Sequence, residues 1–366
     1  MTRGRLRQAA WGATWGAAMA TIVALVPLAV DAAPPPARLS ATGLYRADGT
    51  VDPRNRPFAP QYPLWTDGAT KRRWIRLPEG ATIDVSDVDA WRFPPGTTLW
   101  KEFAWEGRRV ETRMIRREMS GEWIFASYVW SDDQRDAELA PPEGVPGAFP
   151  LPASTGARAG RRHSIPGTAD CLSCHGSAPS PVLGFDALQL SDDRDPDAPH
   201  AEPLPAHAVT LSTLVREGRL MPARPELVAS PPRIRTADPV ERAAIGYLHG
   251  NCGACHNPRG PLARLGFSLR HDVAGGAVVG APEPALLTTR AARGRFVVPG
   301  VAADSCAIVT PGVPERSTLP YRMRSRRATS QMPPLGSVVV DSVAVRLVER
   351  WVAGMGTGTR VATLPR

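Results

Sequence analysis

Lysine is almost missing from this 366-residue chain: Lys71 and Lys101 are the only two, and arginine supplies the rest of the 44 basic side chains. The arginines are scattered along the length, so the net charge of +9 does not mark a clustered nucleic-acid patch. After Val30 no apolar run approaches the roughly 20 residues a membrane-spanning helix needs, and no later segment is expected to cross a bilayer. Short-period repeats are absent. Cysteine is scarce too, and four of the five sit in two Cys-x-x-Cys-His units, which leaves no independent disulfide framework. Cys306, the odd one, reads as a buried inert thiol, with an intermolecular disulfide as the alternative.

What is present begins with Arg3, Arg5 and Arg7, an apolar stretch from Ala9 to Val30 and a small-residue exit at Val30-Asp31-Ala32. That order predicts a secretory signal peptide cut after Ala32 and places the chain in the periplasm; uncleaved, the segment would be a membrane anchor. Residues 1–32 hold three Arg and one Asp, so their removal lowers the charge from +9 to +7. The length predicts two or three compact units.

From 38 to 150 the chain is rich in Trp and punctuated by Asp48-Gly49, Asp67-Gly68 and Pro95-Gly96. Thr97–Trp105, Arg109–Glu118 and Glu122–Ser131 read as strands of an antiparallel β domain. Gly144–Gly167, with its prolines and glycines, reads as a linker. Helices are expected at Leu211–Arg219, at Pro239–Gly250 and, most strongly, at Asp341–Trp351, where Asp341 can cap and Val345, Val348 and Val352 form a stripe.

The chemistry lies in Cys171-Leu172-Ser173-Cys174-His175 and Cys252-Gly253-Ala254-Cys255-His256, which begin 81 residues apart. Two thiols three positions apart on a helical turn face the same way, and the following histidine stands beneath them. The pattern predicts two covalently bound haem c groups, each held through thioethers to the two cysteines, with His175 and His256 on the irons. Their propionates would offset part of the positive charge. A zinc site would bring the pairs about 15–20 residues apart, and a thioredoxin-like pair would need a strand-then-helix setting that neither motif predicts.

The opposite face of each iron needs its own ligand. Met332, in Gln331-Met332-Pro333-Pro334-Leu335, is the candidate for the His256 haem, because the prolines stiffen the loop and a C-terminal helix follows. Met323 lies among arginines, which suggests a solvated face. For the His175 haem the candidate is Met221, with His163 as rival and His200 and His207 behind it. His249 and His271 are expected at the surface or against propionates.

The chain resembles a bacterial family of exported dihaem c-type cytochromes with a β-rich N-terminal region. The resemblance rests on Tyr62-Pro63-Leu64-Trp65-Thr66-Asp67-Gly68-Ala69, Lys71-Arg72-Arg73-Trp74, Trp100-Lys101-Glu102-Phe103, Tyr128-Val129-Trp130, Val182-Leu183-Gly184-Phe185, the two haem motifs with Asp170, Asn251, Asn257 and Pro258, and the Met332 loop. It implies haem binding and electron transfer outside the cytoplasm. The fold expectation is a multi-domain α+β chain: an N-terminal antiparallel β domain (38–150), then two mainly α-helical cytochrome c-like haem domains (156–235 and 236–366). The functional expectation is an electron carrier working between an exported dehydrogenase and a further acceptor, with redox proteins as partners, no nucleic acid and no evident small-molecule substrate. The alternatives are a dihaem peroxidase-like enzyme with one open distal position, and a docking role for the β domain.

Overall fold

Branched and aromatic residues in alternation build the centre of the molecule. Thr98–Trp105 (β4) and Arg108–Arg117 (β5) are joined by Glu106-Gly107, both at positive φ (49° and 80°), the two-residue turn that matches strand twist. Trp123–Trp130 (β6) pairs with β5, Thr70–Arg76 (β2) with β4, and Arg56–Pro57 (β1) and Ala137–Leu139 (β7) close the edges. The result is a six-stranded antiparallel sheet in the order β1-β2-β4-β5-β6-β7. The computed structural model describes residues 33–274 and 283–356, so the expected signal peptide lies outside the described residues.

One face of the sheet packs Trp74, Trp100, Met114 and Tyr128 on Leu39 and Leu44. The other face carries Ile75 and Leu99 into a second core, shared with Ile83 of the short strand Ile83–Asp84 (β3) and with Trp91 and Phe93. That core is completed from far along the chain by Val182, Phe185, Leu190, Leu211, Leu214 and Leu220.

The stretch read as a linker is a hairpin, Gly144–Pro150 (β8) against Arg162–Pro166 (β9), with a register shift between Val145 and Phe149 that admits Pro146. β9 runs into Thr168–His175 (α1), which bears the first motif. Leu211–Arg216 (α2) and Glu226–Ala229 (α3) are short, and Leu220–Met221 (β10) pairs with β3. Pro239–Asn251 (α4), Pro284–Thr289 (α5), Thr318–Arg324 (α6) and Ser342–Gly354 (α7) follow. The two long helices are capped by Asp238 and Asp341, whose carboxylates accept from Val240 N at 2.9 Å and Ala344 N at 3.0 Å.

The expected fold class is overturned. The structure is a mixed α/β assembly on a large antiparallel sheet with seven α-helices among the described residues, and no pair of mainly helical cytochrome c-like domains is present. The physical reason lies between the motifs. Between the first motif and α4 the helices among the described residues, α2 and α3, stop after one or two turns at Gly218 and at Ser230-Pro231, too short to cover one another, so Phe185 and the leucines pack on the sheet instead. The described residues form one compact unit.

Tyr62 shows how tightly the N-terminal part is built into the rest. Its hydroxyl donates to Asp195 Oδ2 at 3.0 Å, and its ring lies so close to α4 that a Cβ on Gly246 would overlap it. Trp65 N donates to Asn251 Oδ1 at 2.7 Å, and Asp67 Oδ1 accepts from Val338 N and Val339 N at 2.9 and 2.8 Å. No helix among the described residues is long and apolar enough to cross a membrane.

Candidate functional site

α1 presents Cys171 and Cys174 on one side, as residues three apart on a helix must be. His175 closes the helix, and its Nδ1 lies 2.5 Å from Pro181 O. A carbonyl only accepts, so Nδ1 carries the proton and the lone pair is left on Nε2, the nitrogen a metal would use. The ring rests against Phe125 of β6, with centroids 5.2 Å apart. Burial holds His175 down to about 4, against the Pro181 carbonyl and with the help of Lys101 and Arg113.

The second motif leaves the end of α4. Cys255 N and His256 N donate to Cys252 O at 3.1 and 2.9 Å, forming a tight turn. His256 is buried and stacked on Phe267 at 4.6 Å, and its Nδ1 is a buried polar atom without a hydrogen-bond partner. An orphan of this kind costs about 1–3 kcal/mol. Burial, and then Arg322, hold His256 down to about 4. Burial pushes the Cys252 thiol up to about 12.

The structure brings the two motifs together. Cys255 Sγ donates to Ser173 O at 3.8 Å, and interaction between the two thiols raises Cys174 and lowers Cys255 to about 7. These directions describe free thiols. Asn257, fully buried, ties the same seam: its Nδ2 donates to Ser177 O at 3.1 Å as well as to Gly253 O and Ala254 O. Cys171, Cys174, His175 and Cys255 border one cavity of about 670 Å³, with Lys101 and Arg113 of the sheet also in its wall. That volume lies in the usual range of cofactor sites, about 300–1,000 Å³.

The other donor chemistries fit less well. Among the described residues no group of three or more His, Cys, Asp or Glu side chains is arranged to hold a metal ion, so the two Cys pairs do not converge as a four-donor zinc site. β9 does run straight into α1, a strand-then-helix order the sequence did not predict at the first motif. Its pairing is the antiparallel hairpin with β8, however, not the parallel βαβ setting of a thioredoxin-like pair. The cavity and the free Nε2 of His175 fit a haem attached at the first motif, whereas of Cys252, Cys255 and His256 in the second motif only Cys255 borders that cavity. No family model, curated protein or solved structure matches this chain.

The distal candidates separate. Met221 stands 57% exposed on β10 and does not border the cavity. Met332 is half-buried; its N–H donates at 3.0 Å to the carbonyl of Arg322, the residue whose charge acts on His256, and residues 333–336 after it line the cavity. Met323 is buried in the core with α4 and α7 rather than on a solvated face. His163 is locked between carboxylates, with Nε2 at 3.0 Å from Glu111 Oε1 and Nδ1 at 3.9 Å from Asp67 Oδ2. His200 binds both oxygens of Asp341, and His207 is exposed.

His249 and His271 are not at the surface. Both are buried, His271 N donates to His249 Nδ1 at 3.1 Å, and His271 Nδ1 pairs with Glu283 at 2.8 Å. Cys306 is buried, its sulfur accepting from Val298 N at 3.4 Å. The sequence reading missed the cationic wall of the cavity. The one available signal was the rarity of lysine: burial first, and then the charge of Arg73, push Lys71 down to about 8 and Lys101 well below its ordinary value.

Proposed function

We propose that this chain is an exported, periplasmic electron carrier holding two covalently attached haem c groups, and that it belongs with the dihaem c-type cytochromes its sequence resembles. Cys171 and Cys174 would hold one haem and Cys252 and Cys255 the other, with His175 and His256 as proximal ligands and Met332 as the distal ligand beside His256. Haem iron supplies one-electron chemistry at a potential set by its axial ligands. The chain's part is to hold, orient and enclose. Pro181 fixes the His175 tautomer, Phe125 and Phe267 wall the two imidazoles, and Asn257 joins the motifs.

The observation that carries the reading is the meeting of the two motifs, Cys255 Sγ on Ser173 O at 3.8 Å and Asn257 Nδ2 on Ser177 O at 3.1 Å. It makes the two attachment sites neighbours, so an electron entering at one has a short path to the other. An exported dehydrogenase as donor and a further redox protein as acceptor fit such a relay. The peroxidase-like alternative draws on the roomy cavity beside His175, whose wall contains no methionine among the described residues.

The test is haem-stained denaturing electrophoresis of chain made with haem-attachment machinery. The wild type should carry two haems, and Cys171→Ala with Cys174→Ala, or Cys252→Ala with Cys255→Ala, should each leave one. An unchanged haem count in either double variant would refute the assignment.

A further inference from the structure

Strand register sets Arg73 of β2 opposite Lys101 of β4, and Lys101 opposite Arg113 of β5. Three cations therefore stand in one cross-strand row, and all three border the cavity. Like charges placed opposite each other destabilise a sheet, so such a row calls for compensation. Arg73 is held by Glu202, and Arg113 by Glu111 at 2.5 Å. Lys101 has no carboxylate or carbonyl partner among the described residues; its amine lies 4.9 Å from the centre of the Phe103 ring.

The other donors around the cavity are committed or unsuitable. His249 accepts the His271 N–H on Nδ1, and its Nε2 faces Asp186 at 3.7 Å. No methionine borders the cavity among the described residues.

We propose that Lys101 is the distal axial ligand of the iron held by His175, its amine nitrogen taking the place assigned from sequence to Met221. This rests on the dihaem reading above.

Lys101 borders the same cavity as His175, on a rigid central strand, with a four-carbon stem that gives it reach. An amine binds metal through its lone pair, and the arginines set opposite Lys101 on both neighbouring strands disfavour an additional charge there. A role for the row in binding propionates fits less well, because Arg73 and Arg113 are already paired with Glu202 and Glu111. Amine nitrogen is a harder donor than thioether sulfur and favours ferric iron, so the His175 haem becomes the lower-potential of the two.

The experiment uses the full chain made with haem-attachment machinery and compares wild type, Lys101→Arg and Lys101→Met. Haem count is read on denaturing gels, and iron spin state by paramagnetic resonance and near-infrared magnetic circular dichroism. In the wild type both irons should be low-spin. Lys101→Arg keeps the charge but offers no lone pair, and should turn one iron high-spin with two haems still attached. Lys101→Met should restore low spin and add a second sulfur-to-ferric-iron band. Two low-spin irons in Lys101→Arg, one high-spin iron in the wild type, or no second sulfur band in Lys101→Met would each overturn the lysine ligand. A wild type without covalent haem would instead sink the dihaem reading itself, so the two failures are distinguishable.

Discussion

Cutting the chain at Gly156 should destroy both haem sites, although neither motif lies in the part removed. Val182, Phe185, Leu190, Leu211, Leu214 and Leu220 are each at most 4% exposed, and they are buried against Ile75, Ile83, Trp91, Phe93 and Leu99 of the missing segment. At about 1.5–3 kcal/mol for each large side chain, exposing these six removes about 9–18 kcal/mol. That is an upper bound, because an unfolded chain already buries some apolar surface. Even so it matches the entire stability of an ordinary domain, about 5–15 kcal/mol. The fragment also loses Phe125 from beside His175 and Tyr62 from against α4. Expressed with haem-attachment machinery, residues 156–366 should be insoluble or protease-sensitive and give no native low-spin spectrum. A gentler version in the full chain is Phe185→Ala. Phe185 is 1% exposed and packs edge-on against Phe58 at 4.9 Å, Phe93 at 5.7 Å and Trp91 at 6.1 Å. Its truncation should cost about 3–5 kcal/mol in denaturant unfolding. A soluble 156–366 fragment with two haems and the wild-type spectrum, or a Phe185→Ala cost below about 1 kcal/mol, would refute the shared core.

Met332→Ala should abolish the sulfur-to-ferric-iron band and lower the upper of the two potentials in a redox titration, while Met323→Ala should cost about 2–5 kcal/mol of stability and leave the band in place; the reverse pattern would assign the sulfur to Met323. Stability should also depend on pH through the buried Glu111–His163 pair. Burial opposes the Glu111 charge, but Arg113 and His163 outweigh it and hold the carboxyl at about 2. Its contribution is therefore present above the unfolded value of about 4.3 and lost as pH falls toward 2. Burial opposes the His163 charge too, yet hydrogen bonds to Asp67 and Glu111 raise it overall, so its contribution is complete below about 6.5 and is lost as pH rises through the higher folded value. Denaturant midpoints should fall on both sides of that window, and His163→Gln should flatten the alkaline side; an unchanged alkaline slope would show that His163 is neutral in the folded chain.

The sequence by itself determined what is local. Two thiols three positions apart with a histidine behind them lie within five residues, and the proposed haem attachment is read from them alone. The capped stripe of α7, the helix at α4 and the strand segments of β4, β5 and β6 are equally short-range, and the structure has each close to its expected place. Tertiary structure alone decided which elements meet. Short helices after the first motif signalled nothing about the sheet that covers them, and the fold class could not be read because burial of Phe185 and Leu214 depends on partners roughly a hundred residues earlier. Met221 has the same Pro neighbour as Met332, yet it stands in solvent on a two-residue strand. Lys101 looks like any strand lysine until cross-strand register sets it between Arg73 and Arg113 in a cavity wall. Spacing along the chain encodes which atoms can share a helical turn or a strand face; only the closing of long loops brings Cys255 to Ser173 and so sets the two motifs side by side.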